Sequence, residues 1–91
     1  MNEENNLSFS QALEWLKAGN KVSREGWNGK GMFLYHVEAN EYPALTDVAK
    51  KEFGETVKYR AYLALKTVQG GVVVWSASNT DLLANDWFVI R

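Results

Sequence analysis

A chain of 91 residues with no cysteine and a single histidine has neither a disulfide nor the usual Cys/His zinc site to staple it, so packing must hold it together. His36 by itself cannot assemble such a site, and no metal or cofactor is expected. Domains this short bury a smaller share of their surface than larger ones do. The chain nevertheless carries four Trp, four Tyr and four Phe. That exceeds what one small core encloses, and aromatic residues are enriched at subunit interfaces. A homo-oligomer is the expectation.

Ten Lys and Arg stand against eleven Asp and Glu, a formal net charge of −1. Such a balance offers no broad basic face for a nucleic-acid backbone, so no polynucleotide partner is expected. The opening residues Met1 to Asn6 are polar and acidic where a signal peptide needs positive charge followed by an apolar stretch. Apolar runs such as Val72–Trp75 fall far short of the roughly 20 residues of a membrane span. A cytosolic protein without a membrane partner is the reading, and the lack of cysteine agrees with it.

Residues 1–7 read as a disordered polar tail, and residues 8–91 as one ligand-binding domain. Ser8 and Gln11 form a capping box, and Phe9, Ala12, Leu13 and Leu16 follow at helical spacing. Gly19-Asn20 ends that helix, placed at Phe9–Ala18. Lys21–Glu25 is a short extended stretch leading into the glycine-rich loop Gly26–Gly31. Met32–Val37 reads as a strand with Phe33, Tyr35 and Val37 on one face and Met32, Leu34 and His36 on the other. Residues 39–57 read as a variable insertion in which Thr46 caps a short helix. Val57–Val68 reads as one long strand with Tyr59, Ala61, Leu63 and Leu65 inward. Gln69-Gly70-Gly71 turns it into a hairpin with Val72–Ala77. Ser78-Asn79-Thr80-Asp81 is a run of N-cap formers before a helical turn, and Trp87–Arg91 is a last strand. The fold class is α+β: a small antiparallel sheet packed with one N-terminal helix and a short helical turn near the C-terminus.

Enzyme signatures are missing. His36 lies within a strand and no nucleophile turn accompanies it. The glycine-rich loop is not a P-loop, because Met32-Phe33 stand where Lys and Ser/Thr are required. Two segments combine flat aromatic surface with short polar groups. In the first, Trp27 offers a face for stacking a base, and the neighbouring glycines let backbone N–H groups approach a phosphate. Trp27 as a plug at the end of the sheet is an equally weighted reading of the same residue. In the second, Ser78–Asp81 exceeds what capping needs. A helix N-terminus attracts anions, and Asp81 can accept hydrogen bonds from ribose hydroxyls or an exocyclic amine. Asp86-Trp87 reads as structural, with Trp87 in the core and Asp86 anchoring the turn.

The sequence F-x-x-A-L-x-x-L-K-x-G, then V-x-R-x-G-W-N-G-K-G-M-F, then Y-L-A-L-K-T, and finally W-x-A-S-x-T-D-x-L-A-x-D-W resembles the Thoeris anti-defence 2 family from Phe9 through Val89. The resemblance implies a bacteriophage protein in the cytoplasm of an infected bacterium. It would act as a sponge for glyco-cyclic ADP-ribose, the signal a TIR-domain enzyme makes to switch on an NAD-depleting effector, and would hold it uncleaved. It further implies a homotetramer with pockets shared between subunits and, in some members, cyclic dinucleotides at a second site. Carried over residue by residue, it puts Trp27, Asn28, Met32 and Phe33 on one pocket wall and Ser78, Asn79, Thr80 and Asp81 on the other. Arg24 and Lys30 become candidate phosphate partners, with a buried structural pair as the alternative for Arg24 and a place in the core as the alternative for Met32 and Phe33. Two other readings stand beside it: a small hydrolase or lyase using His36 or Asp81 as acid–base, and a phage protein-interaction module.

Overall fold

The computed structural model describes residues 3–27 and 29–91. Helix α1 spans Phe9–Lys17. Ser8 Oγ accepts from the Gln11 amide while the Gln11 side chain accepts from the Ser8 amide, so the expected capping box is present. At the other end the Asn20 amide donates to Trp15 O and the Gly19 amide to Leu16 O, with Gly19 at φ 96°. This left-handed closure is one that a side chain resists.

Five strands form an antiparallel sheet: β1 (Lys21–Arg24), β2 (Phe33–Val37), β5 (Tyr62–Lys66), β6 (Val72–Val74) and β7 (Trp87–Ile90), ordered β6-β5-β2-β1-β7. Strands β3 (Asn40–Pro43) and β4 (Thr56–Tyr59) pair separately, with helix α2 (Asp47–Phe53) between them, and helix α3 (Asn79–Leu83) precedes β7. The chain is therefore α+β, with an N-terminal helix and a short C-terminal one as its composition of elements predicted.

Alternation along the strands decides which residues meet α1. Val22 faces Leu34 across β1/β2 and Val89 across β1/β7, and these three close over Ala12, Trp15 and Leu16 of the helix. Ala12, Leu16, Val22, Leu34 and Trp87 are fully buried. Burial on that scale is worth about 1.5–3 kcal/mol for each large apolar side chain. The opposite sheet face carries Phe33, Tyr35, Val37, Ala64, Val72, Val74, Phe88 and Ile90, and among the described residues no helix packs on it.

Two expectations are corrected. Val57–Val68 is not one strand: it breaks at Arg60-Ala61, and β4 pairs with β3 whereas β5 pairs with β2. Tyr59 and Ala61, expected inward, are exposed. A period of two does not name a strand's partner, so a run can keep its alternation while changing sheets. Residues 3–7, the described part of the expected disordered tail, lie along β7. The Val89 amide donates to Glu4 O at 2.8 Å, Leu7 exchanges two backbone hydrogen bonds with Trp87, and Leu7 is 1% exposed. The single apolar side chain in that polar stretch decides its path.

Candidate functional site

Helix α3 brings the two motif segments together. Ser78 is its N-cap, accepting from the Asp81 amide, while the Asp81 carboxylate accepts from the Ser78 amide. This reciprocal cap places Asp81 on the inner side of the turn. There Asp81 Oδ1 accepts from Arg24 Nη1 at 2.9 Å and from the Trp27 indole Nε1 at 3.1 Å. The Asp81 carbonyl accepts from the Trp87 indole at 3.0 Å. One residue thus ties down two tryptophans.

Those tryptophans belong to an aromatic cluster. Trp87 lies at its centre, with ring centroids 5.3 Å from Phe9, 5.3 Å from Trp27 and 6.0 Å from Trp75. The Trp27 and Trp87 planes meet at 77°, an edge-to-face arrangement favoured by the charge distribution of the rings. Trp27 is half-buried. It packs against the core, as the plug reading expected, and is not fully covered by it.

Arg24 is held at both ends of its guanidinium. Nε donates to Asp86 Oδ1 at 2.8 Å, Nη2 to Asp86 Oδ2 at 3.3 Å, and Nη1 to Asp81. Its side chain is 12% exposed. One cation among two carboxylates leaves the cluster with a net charge of −1, and Arg24 is already paired twice within the protein. Asp86 Oδ2 also accepts from the Gly26 amide at 2.8 Å.

These contacts set the protonation states. Burial pushes the Asp81 carboxyl up, but hydrogen bonds from Trp27, Arg24 and Ser78 outweigh it and hold the group below its ordinary value. The Arg24 guanidinium, with help from the Gly26 amide, holds Asp86 below its ordinary value against a smaller effect of burial. Both are carboxylates at neutral pH.

The other sequence-selected residues are divided. Met32 sits beside the cluster's loop, its carbonyl accepting from Ser23 Oγ at 2.8 Å. A Cβ on Gly29 would run into Met32 Sδ and Val68 Cγ2, so the loop backbone is drawn tightly against the β5–β6 hairpin. Asn79 and Thr80 are exposed in the first turn of α3, and Lys30 is exposed in the loop. Asn28 lies outside the described residues. Phe33 does not join Trp27 within one copy of the chain: it faces the uncovered side of the sheet, with Lys21 Nζ 5.2 Å and Lys66 Nζ 5.6 Å from its ring centroid. Adjacent strand residues point to opposite faces, and Leu34 already occupies the core side. His36, the candidate acid–base group, lies opposite Leu63 and makes its closest ionic approach to Glu38 at 3.6 Å. Asp86 was read as a turn anchor, and its grip on Arg24 is not visible without the tertiary structure.

A concavity of about 430 Å³ lies between the β3–α2–β4 arm and the ends of β2 and β5, lined by Val37, Glu38, Tyr42, Leu45, Tyr59 and Tyr62 among others. It is remote in sequence from the Trp27–Asp81 cluster. Among the described residues no three His, Asp or Glu side chains gather as a metal site would require, and no helix is long and apolar enough to cross a membrane.

The likeness to known proteins spans almost the whole chain, both of these segments included. The family model described as the Thoeris anti-defense 2-like domain matches residues 7–90. The chain belongs to that family. It is 38% identical over 87 residues to the protein named Thoeris anti-defense 2 of Bacillus phage SP01, covering 92% of this chain and 94% of that relative. The family match starts at Leu7, the residue whose side chain begins the core. Family membership and the phage relative together give the chain a phage anti-defence role.

Proposed function

We propose that this family member counters Thoeris defence by binding and sequestering a cyclic ADP-ribose-type nucleotide, glyco-cyclic ADP-ribose, without cleaving it. The signal would come from a bacterial TIR-domain enzyme, and its capture in the cytoplasm of the infected host would leave the NAD-depleting effector switched off. The observation that carries this reading is the pairing of a partly buried indole, Trp27, with the Asp81 carboxylate to which it is bonded. A purine stacks on an aromatic face, and such a stack contributes about 1–3 kcal/mol. A carboxylate held ionised accepts from ribose hydroxyls or an exocyclic amine. Sequestration needs no acid–base or nucleophilic group, and Asp81 is engaged as an acceptor.

With Arg24 already paired to Asp81 and Asp86, the ligand's phosphates would fall to Lys30, to loop amides, or to a second copy. A homotetramer with pockets shared between copies fits this need. It is further supported by the uncovered sheet face and by Leu45, Val48 and Phe53, which are 60–85% exposed on the β3–α2–β4 arm. Apolar patches of this kind mark interaction surfaces. A cyclic dinucleotide at a second site belongs to the same proposal.

The test is to incubate the purified protein with the product of a TIR-domain enzyme, remove unbound material, heat-denature, and analyse what is released by mass spectrometry. Release of intact nucleotide is expected. A cleaved product would make the protein an enzyme. If no nucleotide is captured, the sponge reading fails and a protein-interaction module takes its place.

A further inference from the structure

We propose that Asp86 is a positioning residue for the Trp27–Asp81 site, acting through Arg24 and the Gly26 amide without itself touching the ligand. Four contacts converge on it. Oδ1 accepts from Arg24 Nε, and Oδ2 accepts from Arg24 Nη2 and from the Gly26 amide. Its carbonyl accepts from the Glu25 amide at 3.2 Å. The loop that carries Trp27 is therefore anchored by one residue from the far end of the chain.

The constraint is passed on in a closed ring. Arg24, fixed by Asp86, uses its remaining Nη1 to hold Asp81, and Asp81 holds the Trp27 indole. The Trp27 amide donates back to the Arg24 carbonyl at 3.2 Å. Trp87, adjacent to Asp86, donates its indole N–H to Asp81 O and so ties the two acidic residues to each other. The geometry is tight, since a Cβ on Gly26 would lie 2.9 Å from both Arg24 Nη2 and Asp86 Oδ2. A bidentate Arg–carboxylate fork fixes orientation as well as distance. Without the Asp86 charge, Arg24 keeps one carboxylate partner and can rotate away from Asp81, and the indole loses its fixed acceptor.

The experiment follows the tryptophan indole N–H signals by ¹⁵N NMR in the wild-type chain, Asp86→Asn and Arg24→Gln, with glyco-cyclic ADP-ribose added in a second arm. In Asp86→Asn the Trp27 indole signal should shift and exchange with solvent at least tenfold faster. The Trp15 indole, bonded to Glu3 O across the molecule, should keep its shift and report that the fold is intact. Arg24→Gln should move the same Trp27 signal, and it reads the same link if Asp86→Asn does not fold. An unmoved Trp27 signal in a folded Asp86→Asn variant overturns the proposal. The affinity arm rests on the nucleotide-binding reading: Asp86→Asn should weaken binding fivefold or more, with little further loss when Arg24→Gln is added. If the wild-type chain binds no nucleotide while Trp27 still responds to Asp86→Asn, the binding reading fails and the positioning role stands.

Discussion

The Trp27 indole N–H donates to Asp81 Oδ1 at 3.1 Å, joining residues 54 positions apart and converting two separate sequence segments into one surface. Asp81→Ala leaves Trp27 Nε1 and Arg24 Nη1 without their partner. Each unsatisfied donor costs about 1–3 kcal/mol where water cannot replace the acceptor. A stability loss of about 2 kcal/mol is expected in urea unfolding, together with at least a tenfold weaker hold on the nucleotide. Equal affinity in a folded variant would remove Asp81 from the site.

Trp27→Phe separates stacking from hydrogen bonding, because it keeps an aromatic face and drops the indole donor. Nucleotide affinity should fall less than in Trp27→Ala, where the stack is lost as well. Titration calorimetry on both variants gives the order, and the reverse order would mean that the ring does not meet the ligand.

Gly29 has no space for a methyl group beside Met32 and Val68. Gly29→Ala should cost about 1–3 kcal/mol through overpacking. Adding Val68→Ala makes room on one side, so the double variant should be less destabilised than the sum of the two single ones. Additive losses in thermal melts would show that the loop relaxes freely.

Leu7 is the apolar anchor of an otherwise polar segment. Leu7→Ala should cost about 2–5 kcal/mol, as truncation of a buried Leu does.

Acid should loosen the cluster. Asp81 and Asp86 both have native pKa values below their ordinary ones, so protonation favours the unfolded chain. Their contribution is complete above the unfolded value of about 4 and is lost as pH falls through the lower native values. Melting temperatures between pH 6 and pH 3 should drop less steeply in Asp86→Asn than in the wild type, starting from a lower plateau. Parallel curves would show that Asp86 is not coupled to folding.

Local signals were legible because they depend on neighbours in the chain. The capping box at Ser8–Gln11, the left-handed stop at Gly19, the Gln69-Gly70-Gly71 hairpin and the helix-forming run at Ser78 each rest on contacts within about five residues. Motif likeness over almost the whole chain likewise pointed to the family. What the sequence by itself determined was therefore most element types, the α+β class and the two segments that meet at Asp81. The tertiary structure decided the rest: that β4 and β5 pair with different strands, that Leu7 folds into the core, that Phe33 faces away from Trp27, and that Arg24 is held by Asp81 and Asp86. The reason is physical. A strand's partner, a sheet's covered face and a charge's counter-ion can be set by residues more than 60 positions away in the chain, and no local spacing records which of several compatible partners the packed core will bring into reach.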